Sequence, residues 1–145
     1  MLALVLGGGA AWGISHVGVI EVLEEEGVPR ELVVGTSVGA IMGGLFAAGV
    51  GSPGMKELAA EIDWSDLGRL TVPHMGFADS SAIETVMEEI IGEGCAFDDL
   101  EIPLKIVTTN VNRGEQLVTD SGRTGPGRPG QCFHTRDLHP GGARG

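Results

Sequence analysis

The stretch Val33-Val34-Gly35-Thr36-Ser37-Val38-Gly39-Ala40 restricts the fold of this chain more than any other. Two β-branched apolar residues end a buried strand, a G-x-S-x-G turn follows, and the apolar run over 40–48 continues as a buried helix. Strand, sharp turn, helix is the setting in which this pattern forms a nucleophile elbow. Gly35 and Gly39 leave room in the strained turn, so Ser37 can project its hydroxyl from the edge of a sheet. At the head of the following helix, Ser37 also lies among unpaired N–H groups, which favour developing negative charge. The simpler reading is a glycine-rich turn in which Ser37 only caps the helix. What lies upstream favours the nucleophile.

Leu2-Ala3-Leu4-Val5-Leu6 is a continuous apolar run ending in Gly7-Gly8-Gly9, as expected of a central parallel strand. Over 13–27 the pattern becomes helical, with Ile14, Val17, Ile20, Val22 and Leu23 apolar, Glu21 and Glu24-Glu25-Glu26 facing water, and Gly27 as the C-cap. Glu31-Leu32-Val33-Val34 is the second strand. The order strand, glycine loop, helix, strand, elbow, helix predicts a right-handed βαβ unit and an α/β fold. Further on, Ser52 and Pro53 open a helix over 54–62, and residues 63–77 are irregular. Ser80-Ser81 caps an amphipathic helix over 82–91. Strands follow at 103–109 and 115–119, turned by Asn112-Arg113-Gly114.

Composition narrows the partners. A net charge of −11 argues against nucleic acid and against attraction to anionic membranes, so any lipid contact has to be apolar. Cys95 and Cys132 show no metal-ligand spacing, which predicts no metal and fits a reduced, cytoplasmic setting. The first residues lack the basic flank of a signal peptide, and the longest apolar stretch, 38–50, is too short and glycine-rich to span a bilayer. The character changes near Gly122. Residues 1–120 carry five basic and nineteen acidic residues, a net −14, whereas residues 121–145 carry four arginines and one aspartate, a net +3. This Gly/Pro/Arg-rich tail has too little apolar content for a core and is expected to be disordered.

The loop Gly7-Gly8-Gly9-Ala10-Ala11-Trp12-Gly13 lies where a dinucleotide fingerprint would be, but the spacing fails at Trp12, and no P-loop lysine follows. A glycine-lined turn at a helix N-terminus presents backbone N–H groups to an anion. Beside a serine nucleophile, that anion is the oxyanion of a tetrahedral acyl intermediate.

The glycine loop and the following Ile14-Ser15-His16-Val17-Gly18-Val19-Ile20, the elbow, and Pro103-Leu104-Lys105-Ile106-Val107 downstream together resemble the bacterial patatin-like phospholipases. The resemblance covers residues 1 to about 120. It implies a three-layer α/β/α sandwich with a central, largely parallel sheet, a lipid or acyl-ester substrate, peripheral membrane contact and no cofactor. By the same resemblance, Ser37 is the nucleophile of a Ser-Asp dyad. The backbone of Gly8 and Gly9, with the neighbouring amides of Ala10 and Val38, is the oxyanion hole. Trp12 stands where the family usually has Arg or Lys. His16 falls at a family position on the first helix, where a polar contact beneath the elbow is the expectation and a triad base the alternative.

The family's dyad aspartate stands in a D-G-A or D-G-G motif, and none of Asp63, Asp66, Asp79, Asp98, Asp99, Asp120 or Asp137 is followed by glycine. A serine without its base is a weak nucleophile. These residues therefore read as residues 1–122 of an incomplete patatin-like domain, inactive as it stands, with an out-of-frame tail over 123–145. A permitted codon set for residues 129–144, read one nucleotide ahead, gives R-A-S-A-S-I-P-G-I-F-T-P-V-E-L, which resembles the family sequence preceding the D-G motif. Two other readings stay open: a small α/β module holding a phosphate or nucleotide in the glycine loop, and a Ser-His-Asp esterase using His16 or His74.

Overall fold

The computed structural model describes residues 1–61, 96–110 and 113–121. Four strands, β1 (Ala3–Leu6), β2 (Leu32–Gly35), β3 (Leu104–Asn110) and β4 (Glu115–Thr119), form one sheet in that order. β1, β2 and β3 run parallel, with Leu6 opposite Gly35 and Gly35 opposite Ile106. β4 returns antiparallel to β3, pairing Thr119 with Ile106, and the turn closes on Gly114 at φ 66° with its N–H on the Asn110 carbonyl at 2.7 Å. The mixed α/β class and the mostly parallel sheet agree with the sequence reading.

Three helices are described: α1 (Ser15–Glu25), α2 (Val38–Ala47) and α3 (Ser52–Glu61). α2 is the central helix. It contacts β1, β2 and β3, and almost all of its residues are buried because the run over 38–48 has no charged side chain. Its small residues let it settle close to the strands: a Cβ on Gly43 would lie 2.9 Å from Val33 Cγ1, with Leu6 and Leu104 also in contact. Leu6, Val33, Leu104 and Ile106 alternate onto this face and join Ile20, Met42, Phe46 and Met55 in one core. On the other face, Val5 and Val118 are open among the described residues.

α1 packs on α2 and α3, burying Val17 and Ile20. Two expectations need correction here. Ile14 and Val22 lie on the exposed side of the helix, whereas Glu21 and Glu24 are half-buried. The reason is the partner helix: Glu21 pairs with Lys56 of α3, while Glu24 binds Arg30 at 3.5 Å and accepts the Ser52 N–H at 3.0 Å. That carboxylate satisfies a free amide at the head of α3 and favours its dipole. Ser52 is thus the first residue of α3 and not its N-cap. The irregular stretch 63–77, the helix over 82–91, both cysteines and the tail after Gly122 lie outside the described residues.

Candidate functional site

Ser37 sits between the end of β2 and the start of α2, with φ 53° and ψ −131°. It is the single non-glycine residue at positive φ among the described residues. Such a backbone costs about 1–3 kcal/mol and persists only where its surroundings over-determine it. Those surroundings are visible. A Cβ on Gly39 would lie 2.2 Å from the Leu6 carbonyl oxygen and 2.6 Å from that of Gly7, so the first turn of α2 rests directly on the end of β1. Thr36 donates its N–H to Leu6 at 3.2 Å and its Oγ1–H to the Val107 carbonyl at 2.9 Å, tying the elbow to both neighbouring strands. Gly35, at the end of β2, faces the backbone of Gly39 and Ala40 with no room for a side chain.

The glycine loop follows β1 and lies beside the elbow because β1 and β2 are parallel neighbours. A Cβ on Gly8 would stand 3.2 Å from Ser37 Cβ and 3.7 Å from its Oγ, so a side chain here would press on the serine. Gly9 leads into a short 3-10 helix, Ala10–Ile14, that the sequence reading missed. Trp12 N–H bonds the Gly9 carbonyl at 3.0 Å, and Ser15 Oγ bonds the Trp12 carbonyl at 2.8 Å. Gly13 then packs against Val38, where a Cβ would lie 2.3 Å from Cγ1. The 3-10 helix is thereby locked onto the residue next to the serine.

The described structure thus brings Gly8 to Ser37, seats Val38 and Gly39 in the first turn of α2, and sets Gly9 and Ala10 at the head of the 3-10 helix. Among the described residues, nothing accepts a backbone hydrogen bond from the amides of Gly8, Gly9 or Val38. Ser37, Thr36 and Gly7 to Gly9 are all exposed. The elements meet at the carboxyl ends of parallel strands, where open α/β sheets place ligands. A hydroxyl with free amides beside it can attack a carbonyl and hold the oxygen that becomes charged. His16 does not reach for the serine: its Nε2 donates to the Gly7 carbonyl at 2.9 Å, fixing the loop from beneath. His74 lies outside the described residues. Clefts lined by Leu32, Pro103 and Asp120, and by Glu24, Arg30 and Glu101, open at the opposite ends of the strands. No group of side chains suited to a metal occurs among the described residues.

A sequence profile described as patatin-like phospholipase matches residues 4–136, from the first strand into the Gly/Pro/Arg-rich tail. The chain belongs to the patatin-like phospholipase family. A lysophospholipase of Emericella nidulans is 35% identical over 127 residues, covering 83% of this chain and 8% of the relative. The human patatin-like phospholipase domain-containing protein 6 is 35% identical over 129 residues, covering 83% and 9%. The chain therefore spans under a tenth of these relatives. A lysophospholipase of Saccharomyces cerevisiae is 56% identical over a shorter span of 46 residues. In architecture the chain resembles the type III effector ExoU, with a TM-score of 0.58 at 18% identity over 81% of this chain and 35% of that one. That likeness bears on the fold of this patatin-like chain.

Proposed function

We propose that this patatin-like chain carries the nucleophile and oxyanion site of a lipid acyl hydrolase. Ser37 Oγ attacks the ester carbonyl and gives its proton to a base. The carbonyl oxygen, now charged, is held by the amides of Gly8, Gly9, Ala10 and Val38. Collapse expels the alcohol, which takes up a proton, and leaves acyl-Ser37. Water then adds, releasing the fatty acid and restoring the serine. The resemblance assigns the base to an aspartate followed by glycine, a pair absent from these 145 residues. As it stands the chain is accordingly inactive in turnover, because an unassisted hydroxyl is a poor nucleophile.

The observation that carries this reading is Ser37 itself, exposed at φ 53° beside a Gly8 on which a Cβ would press against it. Two relatives bear the name lysophospholipase, which favours single-chain phospholipid esters as the substrate class. The test is labelling by a fluorophosphonate, followed by mass mapping, in wild-type and Ser37→Ala chains. Slow labelling confined to Ser37 and absent from the variant is expected. Labelling elsewhere, or thermal protection by nucleotides with no Ser37 labelling, would replace the reading with a phosphate-binding module.

A further inference from the structure

The acyl-transfer site does not account for the apolar surface next to it. Trp12 is 85% exposed, one 3-10 turn beyond the oxyanion loop. Beyond it, Ile14, Val19 and Val22 are 43%, 50% and 55% exposed. On a helix of 3.6 residues per turn, 14, 18 and 22 fall on one side with 15 and 19 beside them, so Ser15 and Gly18 fill the stripe without adding charge. Glu25 and Glu26 end it, at the end of α1 remote from Ser37. The surface is thus apolar near the nucleophile and acidic away from it.

We propose that this surface, from Trp12 along the exposed side of α1, seats the chain on an uncharged or zwitterionic lipid surface, with the Trp12 indole at the level of the ester bonds. The proposal rests on the acyl-hydrolase reading and names the partner of that site. Two observations favour lipid over protein as the occupant, and a third selects its head groups. First, indole settles at the boundary between head groups and acyl chains, the depth at which glycerol esters lie. The Trp12 backbone is held near Ser37: its N–H bonds the Gly9 carbonyl at 3.0 Å, and the adjoining Gly8 lies so near the serine that a Cβ on it would stand 3.2 Å from Ser37 Cβ. Second, the described surroundings of Ser37 are an open shelf. A protein covering Trp12 would crowd that shelf, whereas a lipid surface delivers substrate to it. Third, the stripe has no basic side chain and the chain carries −11, so apolar contact has to supply the attraction and anionic head groups oppose it.

The chain has two tryptophans, so Trp64→Phe leaves Trp12 as the sole indole reporter. With phosphatidylcholine vesicles, its emission should move to shorter wavelength and the chain should float with the vesicles. Val19→Asp, at an exposed helical position, should weaken vesicle binding about tenfold or more by placing a charge in the interface. Mixing anionic lipid into the vesicles should weaken it further at low salt. The proposal is overturned if the emission does not move, if Val19→Asp binds as wild type, if anionic vesicles bind more tightly, or if Val19→Asp instead abolishes self-association of a chain that ignores vesicles. Fluorophosphonate labelling of the wild-type chain without vesicles reports the Ser37 reading separately: vesicle binding without labelling removes the hydrolase and leaves a lipid-docking face.

Discussion

His16 Nε2 lies 2.9 Å from the carbonyl oxygen of Gly7, so a side chain of the first helix holds the glycine loop. A carbonyl only accepts, so Nε2 carries the proton in this contact, and that nitrogen is not available to take a proton from Ser37. His16 is therefore a positioning residue. His16→Ala should slow fluorophosphonate labelling of Ser37 about tenfold, less than the hundredfold or more expected on losing an oxyanion donor outright. His16→Gln, which keeps a donor at a similar reach, should recover much of that rate. Equal rates in wild type and His16→Ala would show that the loop holds its shape without the imidazole.

Two glycines separate packing from propensity. Gly39 is pressed on the carbonyl oxygens of Leu6 and Gly7, neither of which can move without displacing β1. Gly39→Ala should destabilise the chain by roughly 3 kcal/mol, the upper part of the usual overpacking range, and release the strained serine. Gly18 is exposed within α1 and has nothing within 4 Å of its virtual Cβ. Gly18→Ala should stabilise by up to about 1 kcal/mol, the helix-propensity gain alone. Thermal or denaturant unfolding of both variants checks the pair, and equal effects would contradict the packing described at the elbow.

The strands were readable because each is a short apolar run bounded by Gly, Pro or a turn. The expected 2–6, 31–34, 103–109 and 115–119 differ from β1 to β4 by at most one residue at each end. The strand-turn-helix around Ser37 was readable because an apolar run leads into Gly35 and an uncharged apolar run follows Gly39. Orientation was harder. Helical period placed Ile14 and Val22 with Val17 and Ile20, but the side α1 buries is set by α3, whose Lys56 pairs with Glu21 some 35 positions away. The 3-10 helix at Ala10–Ile14 has no periodicity to announce it. The use of Gly13 depends on Val38, and that of Thr36 on Val107, both distant in sequence.

Lys105 and Asp120 form a pair one step beyond the Ile106–Thr119 register, with Nζ 2.9 Å from Oδ2. The hydrogen bond from Lys105, and then its charge, hold the Asp120 carboxyl below the usual aspartate value. A carboxyl whose value is depressed by folding contributes stability above its unfolded value, and that contribution fades as pH falls through the folded one. Both side chains are nearly half exposed, so the effect on stability is small. Lys105→Met should return Asp120 towards its ordinary value in a carbon-detected NMR titration. The stability gap between wild type and variant should be present at neutral pH and close on acidification. An unchanged Asp120 titration in Lys105→Met would mean that the pair does not persist in solution.

The tail sets two expectations against each other. The family profile continues to residue 136, past the change of composition at Gly122. Yet residues 123–136 carry three arginines and no acidic residue, and residues 1–120 carry nineteen acidic residues. We propose that residues 123–145 are read out of register. The S-I-P-G string requires one of two codons at each of Phe133 and His134 and one particular third base at each of Thr135 and Arg136. Sequencing the encoding DNA from the codon for Ser121 onward decides it. A single-base correction should restore S-I-P-G and, further on, an aspartate followed by glycine. Joined to residues 1–122, that segment should raise Ser37 labelling by at least the hundredfold that a positioned base contributes. If the neighbouring frame instead lacks S-I-P-G or meets a stop codon, the out-of-register reading of residues 123–145 is overturned.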